Sequence, residues 1–121
     1  MDWGDAMTIE LEEVSAGRAR ARMRVTKEMT NLHGTAHGGW IFLLADSAFA
    51  HACNGYGTPA VAHSAQVTFL RPAAVDDELV ADAVEVSRYG RSGVYDVTIT
   101  RDPGEVIAVF RGHSMTVSKP L

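Results

Sequence analysis

Gly38-Gly39-Trp40-Ile41-Phe42-Leu43-Leu44-Ala45-Asp46-Ser47-Ala48-Phe49-Ala50-His51-Ala52-Cys53-Asn54 is the most apolar stretch of the chain, and it carries one carboxylate. Ile41, Leu44, Ala45, Ala48, Phe49 and Ala52 recur at helical spacing, while Phe42, Leu43, Ala50 and Cys53 lie on the other faces. The pattern predicts one helix from Gly38 or Gly39 to about Asn54, apolar nearly all round and therefore buried. Asn54-Gly55-Tyr56-Gly57-Thr58-Pro59 stops it. Between Glu28 and Arg71 lie 42 residues, and Asp46 is the only Asp, Glu, Lys or Arg among them. A carboxylate is costly among Leu, Phe and Ala unless it is paired, hydrogen-bonded or protonated. Asp46 is thus a candidate for chemistry with a perturbed pKa, or a buried acid satisfied by backbone donors.

Around this helix the chain reads as strands. Residues 7–13 and 18–25 alternate, joined at Ser15-Ala16-Gly17. In Ala19-Arg20-Ala21-Arg22-Met23-Arg24-Val25 one face is Ala, Ala, Met and Val and the other is arginine, a half-buried strand at period two. Thr30 to Gly39, with three Gly, two His and an Asn, is a loop. Four further segments, 60–70, 78–89, 92–102 and 105–117, are strand-like. Gly90-Arg91 and Pro103-Gly104 make hairpin-like links between the last three. The expected class is α+β: one long central helix wrapped by a curved antiparallel sheet of five or six strands, in a single domain spanning 1–121.

Composition narrows the function classes. The 121 residues suit one modest core, and 46% hydrophobic with 21% charged residues is ordinary for a globular protein. A net charge of -4 argues against nucleic acid as a partner. One cysteine excludes an internal disulfide and fits a reducing compartment. The longest apolar run, Trp40 to Ala45, is far short of a membrane span, and Met1-Asp2-Trp3-Gly4-Asp5 lacks the pattern of a signal peptide. A cytoplasmic location without a membrane partner is the simplest expectation.

The run Asn31-Leu32-His33-Gly34-Thr35-Ala36-His37-Gly38-Gly39 leading to Ala45-Asp46 resembles the hotdog-fold acyl-CoA thioesterases. Leu44 to Ala50, Phe69-Leu70-Arg71-Pro72 and Gly93-Val94-Tyr95-Asp96 are similar to the PaaI branch, the phenylacetate-pathway enzymes. The likeness spans about 7–117, and Met1 to Ala6 would be the remainder of the longer N-terminal segment many of that branch carry. The resemblance implies a hydrolase that cleaves phenylacetyl-CoA-type or medium-chain thioesters. The Gly38 backbone N–H would form the oxyanion hole and Asp46 would be nucleophile or general base. Asn31 and His37 would shape the site and hold water, and Ser64 would orient the attacking water. Gly39, Trp40, Arg71, Arg88 and Arg91 are the substrate-binding candidates. The arginines would meet coenzyme A phosphates, or equally serve as solvated loop charge. Trp40, Phe42, Phe49 and Tyr56 could line an aryl pocket. No cofactor is implied beyond the coenzyme A of the substrate, and self-association into a homodimer, then a homotetramer of two dimers, is expected.

Thioester hydrolysis needs preorganised N–H donors for the developing oxyanion and a base or nucleophile, and this set supplies both. Gly38 and Asp46 are eight residues apart, about 12 Å along one helix, whereas reacting atoms meet at about 3–3.5 Å. Two antiparallel helices related by a two-fold axis would bring Gly38 of one copy to Asp46 of the other. Other chemistries fit less well. His33, His37, His51 and His63 lack the spacing of a metal site, so no metal is expected. Cys53 stands near the helix C-terminus, where a thiolate is not stabilised. Ser47 lacks a nucleophile elbow. A hotdog hydratase acting on enoyl or hydroxyacyl thioesters, or a non-catalytic acyl-CoA-binding dimer, are the alternatives.

Overall fold

The computed structural model describes residues 9–117. Six strands, β1 (Ile9–Ser15), β2 (Arg18–Arg24), β3 (Ala60–Phe69), β4 (Glu78–Tyr89), β5 (Ser92–Arg101) and β6 (Glu105–Thr116), form one antiparallel sheet in the order β1-β2-β4-β5-β6-β3. The helix α1 (Gly38–Asn54) lies across it. This is the hotdog fold expected from the sequence. Positions 7 and 8 of the first expected strand fall outside the described residues. A short 3-10 turn, Lys27–Met29, is additional; three residues carry no periodicity that would announce it.

Small side chains let helix and sheet approach closely. Ala45, Ala48 and Ala52 of α1 are fully buried, as are Ala21 and Ala81 on the facing strands. Larger groups fill the ends: Ile41 and Leu44 from the helix, Met23, Leu79, Val97 and Ile99 from the sheet. Phe49 meets Tyr95 and Phe110 at ring-centroid separations of 5.6 and 5.7 Å, tilted geometries that aromatic pairs favour. On β2, Ala19, Ala21 and Met23 point inward while the arginines alternate outward, as the period-two reading requires. Those arginines are answered across strands, Arg20 by Asp82 at 2.7 Å and Arg24 by Asp76 at 3.2 Å. At such exposure each pair stabilises by no more than about 1 kcal/mol.

One expectation needs correcting. The helix is not buried all round, because a single chain covers only one of its faces. Leu43, Ser47 and Ala50 are half-buried and Gly39 is exposed. The edge strand β3 is similarly uncovered. Its register puts Ala65, Val67 and Phe69 opposite Gly112, Phe110 and Ala108, on the helix side of the sheet, yet Ala65 and Phe69 are exposed. An apolar helix flank and a bare strand edge therefore adjoin each other.

Candidate active site

The start of α1 is set by the loop before it rather than by a cap. His37, the N-cap residue, is extended (φ -59°, ψ 140°) and gives no side-chain cap. Backbone bonds hold it in place: His37 N–H donates to Met29 O and Ala36 N–H to Ala73 O, both at 2.8 Å. Asn31 folds the loop on itself. Its Oδ1 accepts from the His33 N–H at 2.8 Å and the Thr35 N–H at 3.3 Å, while Nδ2 donates to Thr35 Oγ1 at 3.0 Å. Asn31 thus braces the loop that carries His37 and Gly38. The His37 side chain itself is exposed.

Neither the Gly38 nor the Gly39 N–H finds an acceptor among the described residues. Free first-turn donors at the positive end of a helix dipole suit a developing oxyanion. Gly39 has nothing within 4 Å of the place a Cβ would take, so this side of the helix start is open. At Gly38 a Cβ would lie 2.8 Å from Phe69 Cζ, which permits no side chain without a shift of that ring. An open apolar cleft of about 450 Å³ runs beside it, between Gly38, Ile41, Phe69 and Pro72, with Arg71 at its rim. Arg71 donates to Val106 O at 2.6 Å and stands 3.6 Å from Glu105.

Asp46 lies on the flank of α1 shared with Gly39, Phe42, Ala50 and Cys53. Phe42, four residues earlier on that stripe, packs edge-on against Phe110 of β6 at 5.5 Å, so the stripe overhangs the side of the sheet that ends in β3. The Asp46 carboxylate is half-buried and takes no hydrogen bond or ion pair among the described residues. Burial alone raises its pKa. It is the unpaired acid the sequence indicated, set among apolar neighbours on the helix flank.

Other sequence candidates separate in space. Ser64 pairs with His113, whose neighbour Gly112 faces the helix against Phe49, so His113 and Ser64 share the outer face of the sheet. There a β-bulge between Ala62 and Ser64 leaves His63 against the His113 ring at 5.3 Å. The extra residue of the bulge shifts the alternation that the sequence alone would continue, so Ser64 does not face Asp46 of its own chain. Arg88 and Arg91 lie at the C-terminal end of α1, about a helix length of 25 Å from Gly38. The Arg88 guanidinium sits 3.6 Å over the Tyr56 ring, and Arg91 donates to Thr116 O. Only Arg71 of the three shares the end of the subunit that holds Gly38. Trp40, half-buried, lines a groove with His37, Gly39 and Leu43. Phe49 belongs to the core, and Tyr56 donates to Glu85 at 2.9 Å, where the buried Tyr95 hydroxyl also donates at 3.1 Å. Within one chain neither ring reaches the cleft beside Gly38. Phe69, which lines the cleft beside Gly38, is not among the site residues read from the sequence; its signals there are the Phe69-Leu70-Arg71-Pro72 likeness and its inward parity at the end of β3.

Cys53 is buried, its thiol pKa raised by burial. Among the described residues no group of three or more His, Cys, Asp or Glu is placed to hold a metal, and no helix is long and apolar enough to cross a membrane.

The sheet order and central helix define the class by fold, a hotdog protein, and its likeness to known proteins makes it a thioester hydrolase. The chain belongs to the thioesterase superfamily, whose family model matches residues 33–108. It is 41% identical over 109 residues to acyl-coenzyme A thioesterase PaaI of Escherichia coli K12, covering 90% of this chain and 78% of that one. The structure of the E. coli PaaI protein superposes with a TM-score of 0.89 at 40% identity, over 91% of this chain and 80% of that one. The TT0310 protein from Thermus thermophilus superposes with a TM-score of 0.88 at 37% identity, over 93% and 95%.

Proposed function

We propose that this protein hydrolyses acyl-CoA thioesters, aryl or medium-chain, at a site composed by two copies of the chain. Gly38 of one copy supplies the N–H for the thioester oxygen, and Asp46 of the other acts on the carbonyl carbon, directly or through water. Asn31 and His37 position the Gly38 loop, Gly39 and Trp40 border the entry, and Arg71 stands at the rim of the cleft. The observation that carries this reading is the pairing of unsatisfied groups, the free Gly38 amide and the unpartnered Asp46, about 12 Å apart along one helix. A second copy packed antiparallel on the half-exposed helix flank would bring them together and cover β3 at the same time.

At such a site the helix-start amides gain strength as the carbonyl oxygen takes up charge, a contribution worth about 10²–10³ in rate per donor. The raised pKa of Asp46 makes it a better base or nucleophile than an ordinary exposed aspartate at neutral pH. Free thiol release from phenylacetyl-CoA and hexanoyl-CoA tests the proposal. Wild type should turn over at least one thioester, and Asp46→Asn should fall at least about 10³-fold, near 4 kcal/mol of barrier. Binding of both thioesters with cleavage of neither would overturn it in favour of a non-catalytic dimer.

A further inference from the structure

The cleft beside Gly38 is apolar apart from Arg71, and that guanidinium is already engaged by Val106 O and Glu105. A pantetheine arm carries two amides that would find few partners there, and burying them unpaired is costly. An apolar acyl group suits it. The tip of the Phe69 ring reaches the Gly38 backbone, with Cζ, Cε2 and Cε1 lying 2.8, 3.1 and 3.2 Å from a notional Cβ. Phe69 also lines that cleft together with Gly38, Ile41 and Pro72. Its ring thus offers a surface to whatever enters next to the oxyanion amide.

Resting on the thioesterase reading, we infer that Phe69 is the acyl-selecting wall of the site, favouring aryl acyl groups over alkyl ones by ring-on-ring contact next to Gly38. A phenyl group in the cleft gains an aromatic pair with Phe69 that an alkyl chain cannot make, worth about three- to tenfold in preference. Leucine at the same place keeps apolar bulk without the ring. Phe69 stands at the end of β3 and outside the chain's buried core cluster, so its replacement leaves that core untouched.

The test compares kcat/KM for phenylacetyl-CoA and hexanoyl-CoA in wild type, Phe69→Leu and Phe69→Tyr, with circular dichroism to verify folding. Phe69→Leu should lower the aryl-to-alkyl ratio about three- to tenfold, and Phe69→Tyr should keep it. If Phe69→Leu does not fold, Phe69→Met makes the same comparison. A ratio unchanged within about twofold refutes the inference. An equal rise in KM for both substrates refutes it too, since the ring would then border the pantetheine arm. Should the wild type cleave neither thioester, the thioesterase reading fails and this inference fails with it.

Discussion

Gly38 and Gly112 make the same demand on space and should respond differently when it is broken. A Cβ on Gly38 would come within 2.8 Å of Phe69 Cζ, and a Cβ on Gly112 within 2.8 Å of Phe49 Cε1 and Cζ. Phe69 is 49% exposed at the end of β3, so its ring can swing outward. Phe49 is 1% exposed and wedged between Tyr95 and Phe110. Overpacking costs about 1–3 kcal/mol where neighbours cannot move, and alanine returns about 0.4–1 kcal/mol by restricting the unfolded chain. Gly38→Ala should therefore lose about 0–1 kcal/mol and Gly112→Ala, where the neighbours cannot move, about 2–2.5 kcal/mol. The gap of at least about 1 kcal/mol corresponds to roughly 3–6 °C in Tm for a domain of this size. Urea and thermal unfolding at one fixed protein concentration would measure it, since association shifts apparent stability. Equal losses within about 0.5 kcal/mol, or a larger loss for Gly38→Ala, would refute the claim that neighbour mobility decides the cost.

Folding raises the Asp46 pKa by burial, so the folded state keeps its proton to higher pH than the unfolded chain and stability falls as pH climbs through that window. Asp46→Asn should consequently be more stable than wild type at neutral pH, an advantage that vanishes below the ordinary carboxylate range; unfolding midpoints across pH check this, and equal midpoints at neutral pH would contradict it. Tyr95→Phe removes a hydrogen bond to Glu85 while leaving Glu85 the Tyr56 donor, and should lower stability by about 1 kcal/mol in urea unfolding. Ala50→Glu, on the uncovered helix flank, should shift the protein toward monomer in light scattering and abolish turnover in parallel; a monomer that still turns over would exclude a shared site.

The central helix was legible because its apolar spacing, its Gly-rich entry and its glycine stop all agree; a helix expected from Gly38 or Gly39 to about Asn54 runs over Gly38–Asn54. Asp46 was legible for a different reason: a lone carboxylate in an apolar run is conspicuous in one dimension, and its lack of a partner survives folding. The alternation of β2 likewise announced which face is core. What escaped the sequence depends on register and distance. A single bulge residue turned Ser64 to the outer face. No local pattern shows that Arg88 and Arg91 stand at the opposite end of their own chain's helix from Gly38, against Tyr56 and Thr116. Phe69 and Gly38 are 31 positions apart in sequence, and no local pattern reveals that one ring lies on the other's backbone. The half-bare helix reflects a limit of periodicity, which counts apolar faces but not the chains that cover them.

The shared site is tested most directly by complementation between two inactive variants. Gly38→Pro removes the donor at the first helical position, where proline is tolerated, and His37 before it already has an extended backbone. Asp46→Asn removes the acid. Co-expressed and allowed to pair at random, half of the dimers join one variant to the other, and each has one intact site composed of Gly38 from one copy and Asp46 from its partner. Thiol release from phenylacetyl-CoA should then recover to about one quarter of wild type, while each variant alone stays at least about 10²-fold down. Mixed dimers that form and remain as inactive as the single variants would contradict the account, since both groups would then have to act within one chain.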